Sequence, residues 1–225
     1  MKKHILPILL VALICMGCSS DDNGSNGNNG GGILVQATYK ITFAAEFSAT
    51  SHPTDYPSNA SFDKVFVMAH GNASSLFKLG QPASQGLELY AEDGDTDTLE
   101  NEHSVGANSI IIGNPIGPTE TYSTTITITP DRARISFVSK ISPSPDWFVG
   151  IDSFNLLNAD NSLVEEKSFK LYAIDAGTDA GTTYTSDDVE DDSVTMVFTD
   201  PPVGNGGPIN EENRLGLLTI ERVYN

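Results

Sequence analysis

The stretch Val35-Gln36-Ala37-Thr38-Tyr39-Lys40-Ile41-Thr42-Phe43-Ala44-Ala45-Glu46-Phe47 puts an apolar residue at every second position, with mostly polar residues between. Successive side chains of an extended chain point to opposite faces, so a period of two marks a long strand with one face in a core. Working outward, Tyr122, Thr124, Ile126 and Ile128 alternate, as do Ile135, Phe137, Ser139 and Ile141, while Val65 to Ala69 is apolar throughout and suits a central strand. Ser109–Gly113, Trp147–Leu156, Phe169–Ile174, Val194–Phe198 and Leu215–Val223 are further strand candidates. The segments between them carry the Pro, Gly, Asn and Asp that turns require. Only the stretch near Ala83 to Glu92 could hold a helical turn or two. Many strands, very little helix and frequent turns predict an all-β fold, an antiparallel β-sandwich of roughly eight strands. It forms one domain, residues 33–225, without internal repeats.

The N-terminus reads differently. Lys2 and Lys3 precede an apolar run from Ile5 to Met16, interrupted by Pro7. The run is shorter than the roughly 20 residues a membrane-spanning helix needs, and it has the length of a signal-peptide core. Cys15-Met16-Gly17-Cys18 resembles a bacterial lipobox, which makes residues 1–17 a lipoprotein signal peptide and Cys18 the acylated new N-terminus. An ordinary secretory signal with a stray cysteine is the alternative. Several acyl chains together give stable membrane attachment where one would be marginal. Ser19 to Gly32, built from Ser, Asp, Asn and Gly, is then a flexible linker (residues 18–32 with the lipidated cysteine). Ser19-Ser20-Asp21-Asp22 resembles a short acidic signal for display on the outer face of the outer membrane; a merely solvated tether reads the same way.

The 225 residues carry 12 Lys and Arg against 30 Asp and Glu, a net charge of −18. Cleavage after residue 17 takes two basic groups and no acidic one, so the net charge becomes −20. Such a charge repels phosphate backbones and makes nucleic acid an unsuitable partner. It suits a surface that meets divalent cations outside the cell. The mature chain would keep Cys18 alone, so stability has to come from the core and from any bound metal, not from a disulfide.

Several stretches resemble the N-terminal domain of the spondin family. They are Pro143-Ser144-Pro145-Asp146-Trp147-Phe148-Val149-Gly150 and Asp175-Ala176-Gly177-Thr178-Asp179-Ala180-Gly181-Thr182-Thr183-Tyr184. Supporting them are His52-Pro53-Thr54-Asp55-Tyr56-Pro57, the region Ala83 to Gly94 with Ala91-Glu92-Asp93-Gly94, and Thr219-Ile220-Glu221-Arg222-Val223. They follow the family's order from about Tyr39 to Val223. The resemblance implies a C2-like sandwich with Ca2+ bound in loops at one end, held by Asp146, Asp175 and Asp179. Cysteines of the metazoan members are absent here.

Strand counting places the same residues together. If the strand ending at Ile141 runs upward, Asp146 lies in the loop at its top and Trp147–Leu156 descends. A turn at Asn158–Ser162 lies at the bottom, and Phe169–Ile174 climbs back to deliver Asp175 and Asp179 beside Asp146. Calcium takes six to eight oxygens, so three aspartates would be joined by backbone carbonyls and water. Three clustered carboxylates with no cation would raise one another's pKa values. Aspartates in Gly-rich loops also serve simply as turn and cap residues.

Other signals are weaker. Glu92-Asp93-Gly94-Asp95-Thr96-Asp97 resembles part of an EF-hand loop but lacks the glutamate at its twelfth position, where Ser104 falls, so it reads as a solvated acidic loop. Asp187-Asp188-Val189-Glu190-Asp191-Asp192 reads as a solvated connection, or as a second, looser cation site. His52, His70 and His103 show no zinc spacing. His52 suits a bend and His70 a satisfied core or rim position. Ser74 and Ser75 lack a nucleophile elbow, and Trp147 suits core packing.

These residues predict a non-catalytic binding or adhesion module of the cell envelope. It would be an outer-membrane lipoprotein, exposed at the cell surface or facing the periplasm. Its partner would be an extracellular or envelope glycan or protein, and its membrane contact the lipid alone. A calcium-dependent polysaccharide-active enzyme and an accessory subunit of an outer-membrane assembly are the alternatives.

Overall fold

The structure, a computed structural model, describes residues 36–105, 107–198, 208–209 and 213–224. The expected signal peptide (1–17), Cys18 and the linker to residue 32 lie outside these residues. In chain order the elements are β1 (Ala37–Ala45), β2 (Ser61–Phe62), β3 (Phe66–His70), α1 (Gln85–Asp93), α2 (Asp97–His103), β4 (Ala107–Ile112) and β5 (Thr121–Ile128). They continue with β6 (Arg134–Ser142), β7 (Trp147–Asn155), β8 (Glu166–Leu171), β9 (Ala173–Asp175), β10 (Met196–Val197) and β11 (Gly216–Val223).

The alternation from Ala37 to Phe47 is that of a strand with one buried face. Tyr39, Ile41 and Phe43 of β1 are fully buried, and Lys40 between them is exposed. β1 pairs antiparallel with β11 on one side and β5 on the other, which gives a four-stranded sheet in the order β5-β1-β11-β8. The second sheet runs β10-β9-β7-β6-β3-β4, with β2 joined to β6. Between the sheets lies the main core. Phe43 meets Phe62 and Phe137 edge-on, with ring centroids 5.0 and 5.2 Å away. Each such pair adds about 0.5–1.5 kcal/mol beyond simple burial.

A second apolar cluster covers the outer face of the larger sheet, where Phe66, Met68, Val138 and Phe148 pack against Leu87, Tyr90, Ala91 and Leu99 of α1 and α2. β3 is therefore buried on both faces, which explains its unbroken apolar sequence. α1 is capped at its start by Ser84, whose Oγ accepts the Leu87 N–H (3.2 Å), and it is closed by Gly94 at φ +72°. Among the described residues no helix is long and apolar enough to cross a membrane.

The departures from expectation have local causes. Among the described residues there are 11 strands where roughly eight are expected, partly because β2 and β10 are two residues long and too short to show a period. The expected strand Phe169–Ile174 is really two. β8 pairs with β11 of the smaller sheet and β9 with β7 of the larger, and the chain changes sheets at Tyr172. A two-residue period continues across such a step without marking it. The segment Glu92–Asp97 is not a plain loop: Glu92 and Asp93 end α1, Asp97 begins α2, and Gly94–Thr96 form the corner between them. α2 shows no apolar period because Leu99 is its single buried residue. Tertiary contact holds α2 in place: Glu102 accepts the Ser84 hydroxyl (2.7 Å) and the Gly86 N–H (2.8 Å). Gly86 is needed there, since a Cβ would come within 2.6 Å of Leu99 Cα.

Candidate metal centre

The three aspartates singled out in the sequence meet at one end of the sandwich, as strand counting requires. β6 and β7 are antiparallel neighbours joined by the Pro143–Asp146 loop, and β9 lies beside β7 with Asp175 opposite Trp147. Ser144 tightens the first loop, donating its hydroxyl to the Ile141 carbonyl (2.6 Å) and accepting the Trp147 N–H (3.2 Å). Trp147 itself is core: it is 1% exposed and meets Tyr184 and Phe198 edge-on.

Asp146 ties the two loops together. Its carboxylate is fully buried, and Oδ2 accepts the backbone N–H groups of Thr178 (2.8 Å) and Asp179 (3.2 Å). The Ala176 N–H reaches the Asp146 carbonyl (3.2 Å). Oδ1 of Asp146 is buried without a hydrogen-bond partner. Asp175 Oδ1 accepts the Gly177 N–H, and Asp179 Oδ1 accepts the Gly181 N–H, both at 2.8 Å. These are turn-type bonds, so the aspartates do shape their loops. Gly177 adopts φ +78°, and a Cβ there would sit 2.9 Å from the backbone of Ser193 and Val194. A Cβ on Gly181 would strike Pro145 at 2.6 Å, which measures how closely the second loop lies against the first.

The electrostatics are those of an acidic cluster short of positive charge. Burial raises the Asp146 carboxyl above its usual range, partly offset by the Thr178 and Asp179 N–H groups. Burial, followed by the neighbouring Asp146 charge, pushes Asp175 up to about 7. Glu92, at the end of α1, is raised by its own burial and by Glu88, Asp188 and Asp146. The acidic run 187–192 does not project away as a simple connection. The Ala180 N–H bonds to the Val189 carbonyl and the Asp191 N–H to the Thr178 carbonyl, each at 2.8 Å, so the run folds back along the aspartate loop. With Glu88 and Glu92 opposite, it walls an acidic cleft of about 430 Å³.

The counter-charge nearby is Lys140, which no sequence pattern indicated. It lies on β6, on the face covered by α1, and is 5% exposed. Its ammonium donates to the carbonyls of Ala91, Ser144 (3.0 Å) and Pro145 (3.3 Å). Burial pulls its pKa down to about 8 against the opposing pull of Asp146. Lys140 thereby links α1 to the first aspartate loop. On an alternating strand it reads as a solvent-facing position, and the signal that could have exposed it is the second covered face of the sheet.

The donors suit a hard cation in kind, since they are carboxylate oxygens, one of them buried and partnerless. They are not drawn into a cage: among the described residues no group of three or more His, Cys, Asp or Glu side chains is set to hold a metal ion. Each aspartate instead commits one oxygen to a backbone N–H.

The other sequence candidates fall elsewhere. His52 is buried at the bend with Nδ1 2.9 Å from Ser51 Oγ. His70 is fully buried, Nδ1 2.8 Å from the Gly71 carbonyl and Nε2 2.8 Å from Ser136 Oγ. Ser136 in turn donates to Asp152 (2.9 Å). In a hydrolytic triad the histidine stands between acid and hydroxyl. Here the hydroxyl stands between histidine and acid, and both Ser136 and His70 are fully buried. Ser75 donates to Asp152 Oδ2 (2.8 Å) and belongs to the same structural network.

Residues 37–200 match the family model described as Spondin_N. The chain is 33% identical over 179 residues to Spondin-2 of Homo sapiens, an alignment that covers 74% of this chain and 54% of that protein. It is 28% identical over 206 residues to Spondin-1 of Xenopus laevis, covering 83% of this chain and 25% of the relative. Against Spondin-1 of Homo sapiens the figures are 29% over 161 residues, 67% and 20%. The chain thus spans about half or less of the length of these curated relatives.

Proposed function

The chain belongs to the Spondin_N family, and from that footing we propose that it is a non-catalytic binding module working outside the cytoplasm. Its recognition end is the pair of loops carrying Asp146, Asp175 and Asp179, ordered by Ca2+. The observation that carries the reading is the buried Asp146 carboxylate, with one oxygen spanning the two loops and the other without a partner. Asp175 beside it is pushed up to about 7 by burial and by the Asp146 charge. A bound divalent cation supplies the charge that this cluster lacks. The second oxygens of the three aspartates, with loop carbonyls, are the protein's share of the six to eight that calcium takes. The cation turns a strongly negative face into one that accepts an acidic or hydroxyl-bearing partner.

The attachment follows from sequence. Lipid on Cys18 and the linker to Gly32 hold the domain at the outer membrane, and Asp21-Asp22 supports display on its outer face. The test is capture of matrix proteins and glycans from an array by the full chain, in calcium and in chelator. Capture that calcium promotes and Asp146→Asn abolishes supports the reading. Capture indifferent to both, or none in calcium, refutes it.

A further inference from the structure

The two sheets do not close equally on their two sides. At one side β7 and β8 approach without pairing. Among the described residues β8 is bonded to β11 alone, and β9 covers β7 only from Trp147 to Val149, which leaves Gly150–Asn155 free on that side. A groove of about 620 Å³ opens there. Its lining includes Gly150, Ile151 and Asp152 in succession on β7, and Phe169 and Lys170 in succession on β8. Consecutive strand residues point to opposite faces, so a groove touching consecutive residues on both strands runs along the strand edges. Free edges present backbone N–H and C=O groups that a further strand can use.

The chemistry of the lining selects the occupant. Phe77, Phe154, Phe169 and Tyr172 make it largely apolar, and Lys78 and Lys170, both exposed, stand at its rim. Lys167 adds a third positive charge, with Nζ 5.8 Å from the Phe169 ring centroid. Among the described residues the ion pairs are Arg132–Asp131, Arg214–Glu46 and Arg222–Glu165, so none of these three lysines has a carboxylate partner. In a chain of net charge −18 this is a local concentration of unpaired positive charge.

A sugar finds few acceptors for its hydroxyls here. Asp152, the carboxylate in the lining, already accepts from the hydroxyls of Ser75 (2.8 Å), Ser136 (2.9 Å) and Ser153 (2.7 Å) and from the Leu76 N–H (2.6 Å). An acyl chain would cover the strand edges and leave their polar groups without water or partner. An extended peptide satisfies both, because its backbone bonds the edge while alternate side chains enter the aromatic groove.

The geometry points to β8 as a docking edge for an extended segment of a partner protein, apolar residues alternating with acidic ones that meet Lys78 and Lys170. Lysines on an edge also deter a second copy of the same edge from pairing. The site draws on the half of β7 remote from Asp146 and needs no cation.

The test is a random decapeptide display library panned on the full chain in chelator. Selected peptides should be acidic and alternating, and hydrogen exchange should show new protection at Glu166–Leu171. Lys78→Glu with Lys170→Glu should weaken them by about tenfold or more, since like charges would then face one another at the rim. Lys78→Gln with Lys170→Gln should fall between. Failure to enrich any peptide overturns the proposal, as do peptides that bind the Glu variant equally well or protect another surface.

Discussion

Asp175→Asn should stabilise the calcium-free chain at neutral and alkaline pH, an unusual outcome for a change at a buried residue. Asn keeps an oxygen to accept the Gly177 N–H (2.8 Å) and removes the charge. The pKa of Asp175 stands at about 7 in the fold, against 3.8 for the free group. Each tenfold change in proton affinity corresponds to about 1.4 kcal/mol, so holding the ionised form in the fold costs about 4 kcal/mol. Below pH 4 or so, both folded and unfolded chains carry the proton and no cost arises. From there to about 7 the folded chain keeps a proton the unfolded chain has released, so stability declines as pH rises, and the full loss is present above 7. In chelator at pH 8 the Asn variant should exceed the parent by about 2–4 kcal/mol, allowing for relaxation around the charge; at pH 4 the difference should fall below about 1 kcal/mol. Urea unfolding followed by the fluorescence of Trp147, the chain's one tryptophan and 1% exposed, measures this directly. A variant no more stable than the parent at pH 8, or equally shifted at both pH values, would show that no such charge cost exists.

Other expected outcomes follow from the same geometry. Gly177→Ala forces an L side chain to φ +78° and a Cβ to within 2.9 Å of the Ser193–Val194 backbone, and should cost about 2–3 kcal/mol in the urea midpoint. Lys140 sits at about 8 in the fold against 10.5 free, so between about pH 8 and 10.5 the parent should gain stability as pH rises; Lys140→Met should lose that slope. Phe43→Ala removes a ring fully buried against Phe62 and Phe137 and should cost about 3–5 kcal/mol in the same assay.

Much of the fold was written in short-range pattern. The alternations of β1, β5 and β6 and the unbroken apolar run of β3 were legible because each reports which faces are covered. The convergence of Asp146, Asp175 and Asp179 was legible for a related reason: antiparallel order fixes the end of the sandwich at which each loop emerges. What short-range pattern does not carry depends on contacts distant in sequence. α2 has one buried apolar residue and exists because Glu102 reaches Ser84 and Gly86. The change of sheet at Tyr172 leaves no mark in a two-residue period. Lys140 is buried because a helix covers the second face of its sheet, and no strand period reports that cover. The acidic run 187–192 looked like a plain connection, yet two backbone hydrogen bonds fold it against the aspartate loop.

The claim that Ca2+ orders the Asp146–Asp175–Asp179 end is tested most directly by the melting temperature of the full chain in calcium and in chelator, for the parent and for Asp175→Ala. A ligand bound only by the folded chain at a hundred times its Kd stabilises by about 2.7 kcal/mol, which for a chain of this size raises Tm by about 5–10 °C. The account predicts a rise of that order for the parent and none for Asp175→Ala. Equal melting temperatures in calcium and chelator for the parent, or an equal rise in the variant, would contradict it.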